Sequence, residues 1–209
     1  MLQFITKPSA RHSLAEEVQM ALEGGCRWIQ LSRSGMPEEW VPSRESLQEI
    51  IPMCQEHEAF LIVEGDVDLV EELKVHGVFL YDCSRESVMN VRERLGANAV
   101  LGVYARNVAE VKHLVGLDVD YVMIPVPEDC PDKKSFYSGI IDEMNDANID
   151  FHVVATGGLV PAEYETVLSA GCSGVAVSSE IADADDPVAA TVAILAALEE
   201  ARAAANSKF

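Results

Sequence analysis

Eight apolar runs of strand length recur along this chain, and each is followed by a segment with helical spacing. The runs predict strands at Leu2–Thr6, Trp28–Leu31, Phe60–Val63, Val78–Tyr81, Ala99–Val103, Tyr121–Ile124, Phe151–Ala155 and Val175–Ser178. Most are almost continuously apolar, as strands covered on both faces of a parallel sheet must be. Between them lie the stripes Leu14, Val18, Leu22; Leu47, Ile50, Ile51, Cys54; Val88, Val91, Leu95; and Val108, Val111, Leu114, Val115. A last one starts at Pro187 and runs through Val188, Thr191, Val192, Leu195 and Leu198. Ser13 with Glu16 and Asn107 with Glu110 have capping-box spacing, and Pro161 suits a first helical turn. Gly25, Gly77, Gly96, Gly116 and Gly171 each follow a stripe and precede a strand, where a left-handed helix cap belongs. Eight such units in 209 residues predict an α/β fold, a single (β/α)8 TIM barrel forming one domain over 1–209. The competing architecture is an open doubly wound sheet, but no G-x-G-x-x-G follows the first strand.

The last two strands end in a distinctive way. Phe151–Ala155 runs into Thr156-Gly157-Gly158, and Val175–Val177 runs into Ser178-Ser179. Loops in these two positions of such a barrel often cradle a phosphate, and glycine lets the backbone come close to one. Gly157-Gly158 alone reads equally well as a tight turn; the pairing of the two loops favours an anion. A long irregular stretch, Pro125 to Lys134, follows the sixth strand and carries three prolines, which stop a helix. It reads as an active-site lid or as a plain surface loop.

Net charge narrows the partners. At −20 the chain repels nucleic acid and anionic lipid, so no nucleic-acid or membrane partner is expected. A phosphorylated small molecule remains compatible, because local amides and a few Lys or Arg act against the global field. The five cysteines, Cys26, Cys54, Cys83, Cys130 and Cys172, form no C-x-x-C. They suggest neither a disulfide framework nor a zinc site, and point to a reducing cytoplasm. No segment reads as a signal peptide or a bilayer span. The five histidines have no metal-ligand spacing, and no lysine lies within Tyr121–Ile124 for Schiff-base chemistry.

The order of several segments resembles the thiamine-phosphate synthase/TenI family. They are Ala21-Leu22-Glu23-Gly24-Gly25 before Ile29-Gln30-Leu31; Val67-Asp68-Leu69 before His76-Gly77-Val78-Phe79-Leu80; Leu101-Gly102-Val103; Asp120-Tyr121-Val122; Thr156-Gly157-Gly158-Leu159; and Ala170 to Ser179. The resemblance covers most of the chain and implies thiamine biosynthesis. Synthases of the family join a pyrimidine diphosphate to a thiazole phosphate, with the leaving pyrophosphate held by Mg²⁺, Arg and Lys. TenI-type members instead move a proton on the thiazole with a histidine.

The same resemblance exposes departures. Gln-Leu-Arg-x-Lys of a synthase is here Gln30-Leu31-Ser32-Arg33-Ser34. The Asn-Asp pair after the third strand is Glu64-Gly65, and the loop after the fourth strand holds Asp82 but lacks the family's final Asp. Arg106 stands where TenI-type members carry histidine. Lys133 matches the family lysine of Thr-x-Thr-Lys, with both threonines lost. The resemblance therefore implies phosphate binding by Gly157, Gly158, Ser178 and Ser179, substrate contacts from Gln30 and Arg106, and catalytic cations at Arg33 and Lys133. A rebuilt Mg²⁺ site would use Glu64 and Asp82, with Asp66 as a further candidate. Three readings stay open: an enzyme on a related phosphorylated substrate, a catalytically inactive binding or regulatory barrel, and a synthase with relocated ligands.

Overall fold

A computed structural model describes residues 1–7, 11–33 and 42–207. The strands are β1 (Leu2–Ile5), β2 (Trp28–Leu31), β3 (Phe60–Glu64), β4 (Gly77–Leu80), β5 (Val100–Tyr104), β6 (Tyr121–Pro125), β7 (His152–Thr156) and β8 (Gly174–Val177). Each pairs in parallel with the next, and β1 pairs with β8, so the barrel is closed. The helices are α1 (Leu14–Glu23), α2 (Arg44–Glu56), α3 (Val67–Leu73), α4 (Arg85–Leu95), α5 (Val108–His113), α6 (Lys133–Asp146), α7 (Tyr164–Ser169), α8 (Ser179–Ala182) and α9 (Pro187–Asn206). A 3₁₀ turn, Pro161–Glu163, leads into α7. Among the described residues no helix is long and apolar enough to cross a membrane.

Side-chain alternation divides the core in two. One set of strand residues, with the helix stripes, fills the layer between barrel and helices; Leu22, Ile29, Leu61, Val122 and Val175 are among its buried members. The other set faces the barrel axis: Ile62, Phe79, Tyr121, Met123, Val154 and Ala176, flanked by Ile5, Trp28, Val100 and Tyr104. Gly102 makes room for this packing, since a Cβ there would lie 2.2 Å from the Tyr121 ring.

Local signals account for most helix starts. Ser13 and Glu16 form the complete capping box. Asn107 accepts the Glu110 N–H at 3.0 Å, but the Glu110 carboxylate turns to Arg106 instead of closing the box. Two expectations fail. Gly77 is not a helix cap but the first residue of β4, where a Cβ would sit 1.9 Å from the Val100 carbonyl oxygen. The left-handed cap of α3 is Lys74, at φ 54° and ψ 39°. The stretch after β6 is also shorter than expected, because Asp132 caps α6 and Lys133 and Lys134 open that helix.

Candidate functional site

The C-terminal mouth of the barrel collects the strand ends and the loops that follow them. Its floor is a buried polar chain. Gln3 donates from Nε2 to Gln30 Oε1 at 2.7 Å and to the Tyr121 hydroxyl at 3.0 Å. Gln30 donates to Glu64 Oε1 at 2.6 Å. The carboxylate accepts only, so it fixes Gln30 with its amide nitrogen towards β3, which in turn fixes Gln3. Glu64 also accepts from the Tyr81 hydroxyl (3.2 Å), the Ser32 hydroxyl (3.1 Å) and the Arg33 N–H (2.7 Å). Four donors thus surround one carboxylate that is only 3% exposed. Burial, reinforced by Glu64, pushes the Tyr81 phenol above its usual range, so it stays a donor.

The loops after β7 and β8 lie side by side, tied by the Thr156 hydroxyl, which donates to the Ala176 carbonyl at 3.1 Å. Gly157 and Gly158 take φ values of 101° and 66°, which disfavour any side chain. A Cβ on Gly157 would lie 3.0 Å from the Val126 carbonyl, whereas one on Gly158 would meet open space. The first glycine therefore answers to the neighbouring loop, and only the second leaves free room above the backbone. Across from them, the Ser178 N–H donates to Glu180 Oε2 at 3.0 Å. Lys7, just past β1, donates to the Ser179 hydroxyl at 3.1 Å and pairs with Asp183. The Lys7 N–H in turn donates to Glu17 at 3.1 Å. Glu17 is buried and its Oε1 has no hydrogen-bond partner. Burial pushes its carboxyl up to about 7; the Asp183 charge adds to the rise and the Lys7 N–H opposes it.

Two further cations, Lys133 and Arg106, are matched by acids. Lys133 pairs with Glu163 at 2.6 Å, and Glu163 also caps the Val160 N–H at 3.1 Å; Lys133 holds the Glu163 carboxyl below its usual range. Arg106 is exposed and pairs with Glu110 one turn along at 2.6 Å. Arg33 lies beside Gly65, with a guanidinium nitrogen 4.0 Å from where a Cβ on Gly65 would be. Ser34 falls outside the described residues.

The site residues expected from sequence thus separate into groups. Ser178 and Ser179 meet Lys7 and Glu180. Gln30 and the Arg33 backbone meet Glu64, which leaves Gln30 fully buried inside the barrel. Lys133 reaches the turn after β7 through Glu163. Arg106 is held by Glu110 at the start of α5.

The donor set tests the expected metal site. All of Glu64's lone-pair directions face donors of the chain itself. Asp82 accepts from the N–H and hydroxyl of Ser84, the N-cap of α4, both at 2.9 Å, and from the Ser87 hydroxyl; these donors, Ser87 first, hold its carboxyl below the usual range. Asp66 caps α3 through the Leu69 N–H at 2.8 Å. Among the described residues no three His, Cys, Asp or Glu gather as metal ligands. In this arrangement Glu64 and Asp82 do not fit a shared Mg²⁺.

The sequence model of the family described as thiamine monophosphate synthase matches residues 2–181. The chain belongs to the thiamine monophosphate synthase family. A thiamine-phosphate synthase of Bacteroides thetaiotaomicron is 35% identical over 202 residues, covering 93% of this chain and 95% of that one. The corresponding protein of Geobacillus kaustophilus is 31% identical, covering 90% and 86%. A solved structure, thiamine phosphate pyrophosphorylase from Pyrococcus furiosus, superposes with a TM-score of 0.75 at 25% identity and covers 96% of both chains. Family and fold support a function in thiamine biosynthesis.

Sequence reasoning missed Lys7, Glu17, Tyr81 and Glu180 at this mouth. Position was the available signal for Lys7 and Glu180, since each stands within three residues of the end of a predicted strand and so at the C-terminal mouth. Glu17 gave none, because a glutamate on a helix normally reads as solvated.

Proposed function

We propose that this chain binds a thiazole-phosphate-like molecule at the C-terminal mouth and couples it to a pyrimidine diphosphate only slowly. The observation that carries the reading is the pairing of Gly157-Gly158 with Ser178-Ser179, with Lys7 reaching the Ser179 hydroxyl. In this reading the Ser179 hydroxyl and the third N–H of Lys7, whose other two go to Asp183 and Ser179, approach the phosphate with a charge already partly offset by Asp183, and the free side of Gly158 lets it come close to the backbone.

The second half of the proposal follows from what faces the leaving group. A departing pyrophosphate needs cations that are not already neutralised. Lys133 is paired with Glu163 and Arg106 with Glu110. Drawing either one towards a ligand would leave a carboxylate behind in a protein of net charge −20. In the family's reaction Mg²⁺ supplies charge to the pyrophosphate; here Glu64, with four donors, and Asp82, which holds Ser84 and Ser87 at the start of α4, do not fit that duty. The four donors on Glu64 also favour the second reading, a catalytically inactive barrel that binds a phosphorylated ligand.

Calorimetry with the thiazole phosphate and with its unphosphorylated alcohol tests the binding half. The phosphate ester should bind at least about tenfold more tightly, roughly the worth of one charge-assisted contact. Lys7→Met should remove most of that preference. Equal affinity for ester and alcohol would contradict the assignment.

A further inference from the structure

We propose a second small-molecule site at the N-terminal mouth of the barrel, for an aromatic monoanion such as an indolyl or aryl carboxylate. A cavity of about 840 Å³ opens there, at the end of the barrel opposite the phosphate loops. That is a size suited to a ligand of two or three rings. Its walls include Trp28, Phe60, Val100 and Tyr121, which begin β2, β3, β5 and β6, with Leu195 and Arg202 from α9.

The aromatic walls are ordered. The Trp28 ring meets Tyr121 edge-on, with centroids 4.9 Å apart, and Phe60 at 6.5 Å. Phe60 remains 49% exposed at the rim, although it begins a strand. The Trp28 indole N–H is buried with no hydrogen-bond partner among the described residues. A buried donor without an acceptor is rare in native proteins and marks a place where one is missing.

The charges select the sign of the ligand. Arg27 and Arg202 both line the cavity. Arg27 donates to the Leu22 and Cys26 carbonyls, and neither arginine has a carboxylate partner among the described residues. The lining carboxylate, Asp120, is held at one oxygen: its Oδ2 accepts from Arg92 and from the Leu101 N–H, each at 2.7 Å. Elsewhere on this acidic protein Lys7, Arg44, Arg94, Arg106, Lys112 and Lys133 are each held by an Asp or Glu. Positive charge without a counterion beside ring-lined apolar walls calls for a flat apolar body carrying one negative charge. A phosphate dianion lacks the apolar body and brings a second charge near Asp120.

Calorimetry on the full chain with indole-3-acetate and its neutral amide tests the proposal. The acid should bind at least about tenfold more tightly than the amide. Arg202→Gln, at an exposed position, should abolish that preference and leave the amide's affinity unchanged, while Phe60→Ala should weaken both. Excess thiazole phosphate should not displace the acid; displacement would move the binding to the other mouth and overturn the proposal. So would equal affinity for acid and amide, an unaltered preference in Arg202→Gln, or no heat with either compound at millimolar concentration. Sedimentation covers the other occupant: a dimer that Phe60→Glu dissociates, without indole-3-acetate binding, would assign the face to a second copy of the chain and overturn the proposal.

Discussion

The two mouths of this barrel carry opposite patterns of charge. At the C-terminal mouth the exposed-amide loops are present, yet acids of the chain already engage the groups around them: Glu180 on the Ser178 N–H, Asp183 on Lys7, Glu163 on Lys133 and Glu110 on Arg106. At the N-terminal mouth two arginines line a ring-walled cavity without a carboxylate partner among the described residues. The difference teaches that a fold-level site and a working site are separable. The strand ends supply the position, whereas the affinity for an anion depends on whether each donor still has an unfilled direction.

The largest expected effect comes from cutting the polar chain that runs between the mouths. Gln30→Leu leaves a Gln3 amide hydrogen without its acceptor and takes from Glu64 Oε1 one of its two donors in a dry interior, and should cost about 3 kcal/mol. In a protein of this size that lowers Tm by roughly 6–12 °C. A shift below about 2 °C in a thermal scan would show that the chain of hydrogen bonds does not hold the interior.

Glu17 provides the next effect and a sign. Its carboxyl is raised to about 7 in the folded protein against an ordinary 4.5. Between those values the unfolded chain has lost this proton while the folded one keeps it, so stability falls as pH rises through that window and levels off above it. Glu17→Gln should therefore flatten the decline and stabilise the protein at pH 8 by on the order of 2–3 kcal/mol. Urea denaturation at pH 5 and pH 8 reads both. A wild-type protein no less stable at pH 8 than at pH 5, matched by its variant, would remove Glu17 from the account.

Two smaller effects sharpen the contrast. Glu180→Ala should free the Ser178 N–H and raise the affinity for thiazole phosphate about tenfold, while leaving indole-3-acetate binding at the opposite mouth unaltered. No gain in a calorimetric titration would mean that Glu180 does not compete for the phosphate seat. Lys133→Ala should change stability by less than about 1 kcal/mol, as expected of a partly exposed ion pair. A larger loss in denaturant unfolding would make the Lys133–Glu163 pair a structural clamp.

The sequence carried the barrel well because its strands are short apolar runs that tertiary packing reinforces. β2 falls at Trp28–Leu31 as expected, and the other strand ends shift by about one residue. The cap at Gly77 misled because a glycine before a strand serves turns and close backbone approach alike, and here the Val100 carbonyl decides. The candidate site was legible as positions, not as partners. Lys133 and Arg106 read as available cations because the acids that hold them are visible only once Glu163 folds back to α6 and Glu110 turns towards Arg106. Glu64 read as a metal ligand because nothing in the order of residues announces that Gln30, Ser32, Tyr81 and the Arg33 N–H converge on it.

Turnover tests the central claim most directly. Pure protein is incubated with Mg²⁺, the pyrimidine diphosphate and the thiazole phosphate, and thiamine phosphate is followed by chromatography. With Lys133 and Arg106 matched by internal acids and no fitting metal site among the described residues, several kcal/mol of transition-state stabilisation are missing, and the rate should fall at least about 10³-fold below roughly 1 s⁻¹, at the low end of ordinary enzyme turnover. Tight binding of the thiazole phosphate with little or no product is the result predicted. Turnover near 1 s⁻¹ or above would contradict it and would identify a working synthase whose ligands have been relocated.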